Sequence, residues 1–215
     1  MIRWLPLGDS ALTLVFGDQI DPLVHTRILD VARALRTSPP RGVTEIVPAY
    51  TTLGVWFNPL ERDAADLAAE LMETAGRPDS RTVGQAGEGR EIVIPVRYDG
   101  PDLADVAVRV GLEVDEVIAR HSALEYRVYM LGFVPGFAFL GLLDPSLELP
   151  RRSSPRLRVP AGSVGIAGRQ TAVYPLDTPG GWHLLGRTDL RLFDAHSDPP
   201  ALLGVGDRVR FEAIR

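Results

Sequence analysis

The sequence predicts an α+β protein in which a small α+β domain precedes a β-barrel domain. Three observations predict this class. Strand-like and helix-like segments alternate in the first 80 residues, a polar, glycine-rich stretch follows, and short apolar runs broken by Gly or Pro dominate from Gly132 onward. The first pattern is typical of helices on one face of an antiparallel sheet, and the last is typical of a barrel or sandwich. We therefore expect domains at residues 1–80 and 90–215.

The N-terminal domain is predicted to follow the order ββαββα. Its extended runs are IRWLPLG and ALTLVFG before the first helix, and GVTEIVPAY and TTLGVWFNP after it. The first helix starts at Asp21-Pro22, and its apolar residues recur at helical spacing, at Leu23, Ile28, Val31 and Leu35. The second helix, ERDAADLAAELMETAG, ends at Gly76.

A linker or domain edge is predicted at Arg77–Arg90, because RPDSRTVGQAGEGR is polar and rich in glycine. The barrel domain then opens with the alternating strand REIVIPVRYDG. Two short helices, PDLADVAVRVG and EVDEVIARHS, and the strand YRVYMLGF follow. The final segment, GVGDRVRFEAIR, combines a turn with an alternating strand that can close a sheet.

Composition excludes several classes of function. With 45% hydrophobic residues among 215, the chain can bury a core, and a net charge of −5 opposes general binding to nucleic acid or anionic membranes. No apolar run approaches the roughly 20 residues of a membrane helix, so we expect a cytoplasmic protein. All 23 basic residues are arginine and cysteine is absent, which excludes lysine and thiol chemistry. The histidines show no metal-ligand spacing, so we expect no metal site.

The segment from Pro150 to Leu176 contains five arginines and no acid. They are Arg151, Arg152, Arg156, Arg158 and Arg169. Because arginine holds carboxylate and phosphate through a bidentate fork, the segment predicts an anion site. The alternative is a solvated rim that keeps a glycine-rich surface soluble. Arg156 is the best single candidate, since Pro155 and Pro160 restrict the backbone around it.

Other motifs allow two interpretations each. His121 ends a predicted helix, where it either stabilises the helix dipole or transfers protons. The aromatic residues Phe133, Phe137, Phe139 and Trp182 are core residues or pocket walls. Gly162, Gly165 and Gly168 match no nucleotide-binding fingerprint, which favours tight turns, although their amides could hold an oxyanion.

The long block from Gly132 to Asp194, GFVPGFAFLGLL through GGWHLLGRTDLRLFD, resembles the family of 5-oxoprolinase B subunits, also described as allophanate hydrolase subunit 1-like or sporulation kinase inhibitor-like. The resemblance implies a small ferredoxin-like α+β domain followed by a cyclophilin-like β-barrel. It also implies work with 5-oxoprolinase subunits C and A, in a complex that uses ATP to hydrolyse 5-oxo-L-proline to L-glutamate.

Under this hypothesis the substrate is a small anionic lactam and the chain supplies part of an active site. The predicted substrate- or phosphate-binding residues are Arg151, Arg156, Gln170 and Arg187; the pocket walls are Phe133, Phe137 and Trp182; and His121 is catalytic. Two alternatives remain: a regulatory protein that inhibits a sensor histidine kinase, and a component of an allophanate or urea amidolyase-type hydrolase. We favour the lactam hydrolase, because a docking surface alone does not require concentrated positive charge.

Overall fold

In the computed structural model, which describes residues 2–77 and 89–215, four antiparallel strands form the sheet of the N-terminal unit. They are β1 (Arg3–Pro6), β2 (Ala11–Val15), β3 (Val43–Ala49) and β4 (Thr52–Phe57). Helix α1 (Pro22–Thr37) packs on β3 and β4, and α2 (Ala64–Gly76) packs on β1 and β2. The predicted order ββαββα is confirmed.

The strand order of this sheet is β1-β2-β4-β3. It is the order of a ferredoxin-like sheet in which the strand that usually comes last stands first in the chain. The core between sheet and helices is apolar and includes Leu12, Leu14, Ile28, Leu53 and Leu71, all fully buried. This unit therefore has a hydrophobic core of its own.

Helix α1 begins where the sequence predicts. The Asp21 side chain accepts hydrogen bonds from the backbone N–H of Leu23 at 2.7 Å and of Val24 at 3.1 Å, which makes it the N-cap. Of the apolar residues at helical spacing, Ile28 is buried, but Leu23 is 81% exposed. Five residues before Ile28, Leu23 lies about 140° away from it around the helix axis and faces solvent.

Replacing Asp21 with alanine is expected to lower the free energy of unfolding by about 1 kcal/mol, because two N–H groups of the first turn lose their acceptor. Urea denaturation measures this change. Leu23→Ala is the matched control in the same turn and should change stability by less than about 0.5 kcal/mol. Equal losses in both variants would contradict the capping role.

Seven strands of the second unit close a barrel. In chain order they are β5 (Glu91–Arg97), β6 (Glu125–Leu131), β7 (Ala138–Gly141), β9 (Ser163–Ala167), β10 (Gln170–Val173), β12 (His183–Arg187) and β13 (Arg208–Ile214). Around the barrel the order is β10-β7-β6-β13-β5-β12-β9, and β9 pairs with β10 to close it. The last strand, β13, runs parallel to β5 and antiparallel to β6, so it closes the sheet as predicted.

The remaining elements of this unit lie outside the barrel sheet. Helices α3 (Leu103–Val110) and α4 (Val114–Ser122) connect β5 to β6, and α3 packs on β12 while α4 packs on β13. Strands β8 (Arg156–Val159) and β11 (Thr178–Gly180) form a separate two-stranded sheet. The α+β class with a β-barrel is thus confirmed.

The chain divides into its two compact units between Glu88 and Gly89. The predicted linker, Arg77–Arg90, lies mostly outside the described residues, so its character stays a prediction. The residues that form the candidate site all belong to the second unit.

Candidate functional site

Two arginines of the predicted anion segment converge on one buried carboxylate. Arg152 precedes β8, and Arg156 is the first residue of β8. Arg152 Nη1 donates to Asp102 Oδ1 at 2.9 Å, and Arg156 Nη2 donates to the same oxygen at 2.6 Å. The Asp102 side chain is 5% exposed. The three residues, which we call the arginine cluster, carry two positive charges and one negative charge.

Asp102 lies just before α3, yet its carboxylate makes no capping bond to that helix. Its Oδ2 instead accepts from the backbone N–H of Leu184 at 2.7 Å, and its own N–H donates to the Leu184 carbonyl at 3.1 Å. Burial alone raises the pKa of Asp102. Hydrogen bonds from Arg156 and Leu184, with the charges of Arg156 and Arg152, outweigh burial and hold the pKa below its ordinary value. The carboxylate is therefore ionised at neutral pH.

Both guanidinium groups of the arginine cluster keep spare N–H donors. Within residues 2–77 and 89–215, Arg152 Nε and Arg156 Nη1 are buried and have no acceptor. The two side chains are 32% and 24% exposed, although these two nitrogen atoms are not. Because a buried N–H without an acceptor costs free energy, an oxyanion that accepts from these groups would be bound favourably.

Two further arginines of the segment, Arg158 and Arg169, are paired with acids from outside it. Arg158 Nε donates to Asp177 at 2.8 Å, and Arg169 Nε lies 4.0 Å from Glu148. Arg151 is exposed, and among the residues that the structure describes it has no hydrogen-bond or ion-pair partner. The expectation of an acid-free patch is wrong for the folded chain, because the fold brings acids from flanking and distant segments to the arginines.

Tyr174 lies among aromatic side chains and feels the charge of Arg156 from the arginine cluster. Burial raises the pKa of Tyr174, while a backbone hydrogen bond with Trp182 and the charges of Arg151 and Arg156 act in the opposite direction. The Phe137 ring packs edge-on against Tyr174 at 5.2 Å and against Trp182 at 5.8 Å between ring centroids. Two of the predicted site residues, Phe137 and Trp182, thus contact one unpredicted tyrosine, and the charges of two others, Arg151 and Arg156, act on it.

The predicted pocket walls have different environments. Phe137 and Trp182 are 2% and 5% exposed and belong to a small apolar core. Phe133 is 64% exposed, although its ring lies 5.5 Å from that of Phe137. Two of the three are therefore core residues, and this arrangement does not support a single wall made by all three.

His121 lies inside the second unit, fully buried. Its Nδ1 is 2.6 Å from the Tyr98 hydroxyl, and its Nε2 is 2.8 Å from Thr171 Oγ1, which in turn donates to the Gly165 carbonyl. Because the Thr171 hydroxyl donates its proton to that carbonyl, it can only accept from His121. Nε2 of His121 therefore carries the proton, and Nδ1 accepts a hydrogen bond from the Tyr98 hydroxyl. Burial lowers the pKa of His121 to about 3. A neutral, enclosed imidazole favours a structural role over the predicted catalytic one.

Arg187 and Gln170 lie on barrel strands. Arg187 ends β12, and its Nε donates to Asp99 at 3.0 Å. This ion pair does not support the prediction that Arg187 shares an anion with Arg156. Gln170 begins β10, opposite Gly141 of β7, with a half-buried side chain, and its binding role stays a prediction.

The glycines at three-residue spacing serve turns and close packing. Gly162 has φ 80°, and a Cβ there would lie 2.3 Å from a neighbouring carbonyl oxygen, so only glycine fits. Its N–H donates to the Tyr174 carbonyl at 2.7 Å, and the N–H of Gly168 donates to the Leu149 carbonyl at 2.6 Å. Because these two N–H groups already donate to backbone carbonyl groups, the observation favours the turn interpretation over a role in binding an oxyanion.

Sequence reasoning missed Asp102 and Tyr174. Asp102 follows a proline and precedes LADVAVRV, a pattern typical of a helix N-cap. This pattern predicts a capping role and gives no indication of the contact with two arginines. Tyr174 lies in the apolar run TAVYPL and shows no separate signal. Only contacts across the fold reveal both residues.

The described residues contain neither a helix suited to a membrane nor a cluster suited to a metal. Of the helices that the structure describes, none combines the length and the apolar character needed to cross a bilayer. In the same parts of the chain, no three His, Asp or Glu side chains are grouped as metal ligands.

The described second unit is a closed β-barrel with helices packed outside it, and it holds a two-arginine, one-carboxylate cluster; this is the architecture of an α+β barrel protein. The chain belongs to the carboxyltransferase domain family, subdomain C and D, which matches residues 2–203, and within it to the 5-oxoprolinase B subunits. It is 42% identical to the 5-oxoprolinase B subunit of Bacillus subtilis, over 97% of this chain and 91% of the relative. It is 44% identical to the Escherichia coli O157:H7 protein of that name, over 95% and 93%.

Solved structures show the same fold. The crystal structure of TTHA0988 is 42% identical and superimposes with a TM-score of 0.83 over 100% of this chain, which spans 40% of that longer chain. Kluyveromyces lactis urea carboxylase, at 17% identity, has a TM-score of 0.76 over 100% of this chain and 22% of its own, and it shows the fold alone. The family resemblance predicted from Gly132–Asp194 is confirmed.

Proposed function

We propose that this chain is the B subunit of a cytoplasmic, ATP-dependent 5-oxoprolinase complex, which acts with A and C subunits to hydrolyse 5-oxo-L-proline to L-glutamate. One observation carries the proposal: relatives named as 5-oxoprolinase B subunits match it at 42% and 44% identity over nearly their whole length. The name of these relatives also supports a complex of several subunits.

The arginine cluster supports a binding role for this chain. The substrate is a five-membered lactam with one carboxylate, and the spare N–H donors of Arg152 and Arg156 suit a carboxylate. Holding that carboxylate would fix the ring so that its amide carbonyl faces the chemical groups that open it. Arg151, exposed and near Tyr174, would attract the anion electrostatically.

Residues 2–77 and 89–215 include no phosphate-binding loop of the usual kind. The sequence has no lysine for a phosphate loop, and the amides of Gly162 and Gly168 are already bonded to carbonyl groups of the fold. His121 is enclosed and neutral, so it does not suit proton exchange with a substrate. ATP and the proton carrier would therefore bind to or belong to another component of the complex.

Reconstitution tests the proposed function. The chain mixed with A and C subunits should release L-glutamate from 5-oxo-L-proline in the presence of ATP, and omission of this chain should abolish release. Failure of the complete mixture would contradict the proposal. Hydrolysis of allophanate or urea by the mixture, without hydrolysis of 5-oxo-L-proline, would reassign the substrate.

In the same assay, Arg156→Gln is expected to lower kcat/KM by about tenfold to a hundredfold, because a charged hydrogen bond contributes roughly 1.5–3 kcal/mol. Arg158→Gln is the matched control, since Arg158 lies on the same strand but is 78% exposed and paired with Asp177. Arg151→Gln, at an exposed position, should also lower kcat/KM without affecting the fold. Normal activity in both Arg151 and Arg156 variants would contradict the site assignment.

A further inference from the structure

We propose that Asp102 is a specificity-determining residue, which makes the arginine cluster prefer a planar monocarboxylate over a phosphate. The substrate named here rests on the proposed function, whereas the preference for one negative charge follows from the geometry of the cluster alone.

The carboxylate of Asp102 is held in one position. Arg152 and Arg156 share the single oxygen Oδ1 of Asp102, at 2.9 Å and 2.6 Å, and Leu184 N–H holds Oδ2 at 2.7 Å. With three donors on a side chain that is 5% exposed, Asp102 cannot swing away when a ligand arrives. The negative charge is therefore a fixed part of the site.

The charges of the arginine cluster do not cancel. Asp102 neutralises one of the two guanidinium groups, which leaves the partly buried cluster with one net positive charge. A ligand oxygen that accepts from the spare donors of the same guanidinium groups must lie within a few ångströms of Asp102, because a guanidinium is small and rigid. The net positive charge of the cluster balances one negative charge on the ligand. A second negative charge is repelled by the Asp102 carboxylate, because water screens charges poorly in this environment.

The groups next to the arginine cluster do not remove this repulsion. Arg151 adds a positive charge, but it is exposed and screened by water, so it compensates a second ligand charge weakly. Tyr174 is buried with a raised pKa, so its hydroxyl stays neutral. The surroundings of the cluster therefore leave the preference set by Asp102 in place, and the phosphates of a nucleotide are expected to bind elsewhere in the complex.

Direct binding to the full chain tests the inference. Titration calorimetry with 5-oxo-L-proline and with inorganic phosphate at pH 8 should show that wild type binds the carboxylate at least tenfold more tightly. Asp102→Asn, which keeps the shape and removes the charge, should reduce this ratio at least tenfold by strengthening phosphate binding. Asp177→Asn is the matched control, because Asp177 also pairs with an arginine but lies outside the cluster, and it should leave the ratio unchanged.

Equal binding of both anions to wild type, or no measurable binding of 5-oxo-L-proline in the millimolar range, would overturn the inference. These wild-type measurements stand even where Asp102→Asn fails to fold. If the chain prefers the carboxylate but the reconstituted complex does not hydrolyse 5-oxo-L-proline, the proposed function is wrong and the inference stands. Hydrolysis of 5-oxo-L-proline by the complex, without a carboxylate preference in the binding measurement, would overturn the inference and leave the proposed function intact.

Discussion

Asp102→Ala is expected to lower the free energy of unfolding of the second unit by about 3–5 kcal/mol, because removal of one partner leaves two partly buried guanidinium groups without their counter-charge. The backbone N–H of Leu184 loses its acceptor at the same time. Urea denaturation followed by tryptophan fluorescence measures the loss, since Trp182 lies in this unit.

Asp177→Ala provides the matched control. Asp177 also accepts hydrogen bonds from an arginine and from a backbone N–H, that of Ala161, but its side chain is 43% exposed. Because an ion pair at the surface is screened by water, this variant should lose far less stability than Asp102→Ala. Similar losses of unfolding free energy in the two variants would show that burial does not make the Asp102 ion pairs more stabilising than exposed ones.

The Asp102 contribution should depend on pH with a defined sign. Its pKa in the folded chain lies below its ordinary value of about 3.9, so folding favours the ionised form. The stabilisation is present above that ordinary value and is lost as the pH falls through the folded pKa. The difference between wild type and Asp102→Ala should therefore narrow below about pH 4.

His121→Ala is expected to destabilise the second unit by about 3–4 kcal/mol. The substitution leaves a cavity, and it leaves the Tyr98 and Thr171 hydroxyl groups without their shared partner. The imidazole also stacks on Phe211 at 4.6 Å between ring centroids. His196→Ala, at an exposed position, is the control and should change stability by less than about 0.5 kcal/mol.

The pH dependence of this effect identifies the buried imidazole. Burial lowers the pKa of His121 to about 3, whereas the unfolded chain has a histidine pKa of about 6.5. Between these values the unfolded state binds the extra proton, so the stability of wild type falls as the pH falls. From pH 7 to pH 5 the difference between wild type and His121→Ala should shrink by about 2 kcal/mol. A constant difference would contradict a neutral buried histidine.

The local pattern of the sequence was enough for most of the elements. Apolar spacing and the Asp21-Pro22 start gave α1 and its capped beginning, and alternation gave β5 and β13. Leu23 shares the apolar spacing of α1 but faces solvent, because one apolar residue can fit the spacing of a helix and still point away from its buried face. The residues at which an element ends, and the face that it buries, depend on where the hydrophobic core lies relative to that element.

The candidate site was predicted less completely. Arg156 and Arg151 were identified from charge, and Phe137 and Trp182 from aromatic character, and in the fold these residues contact Tyr174 or act on it through their charges. His121 was assigned a catalytic role from its intrinsic pKa, because a sequence does not show that a side chain will be enclosed and desolvated.

The sequence by itself determined the order of the elements, the exclusive use of arginine and the family of the chain, since these depend on local spacing, composition and likeness to relatives. The tertiary structure alone decided which acid meets which base. Asp102 lies 50 and 54 positions from Arg152 and Arg156, and contacts at such separation are set by the path of the chain through the barrel. The charge of the site is therefore a property of the fold, because a buried carboxylate acts on the guanidinium groups beside it regardless of its distance along the sequence.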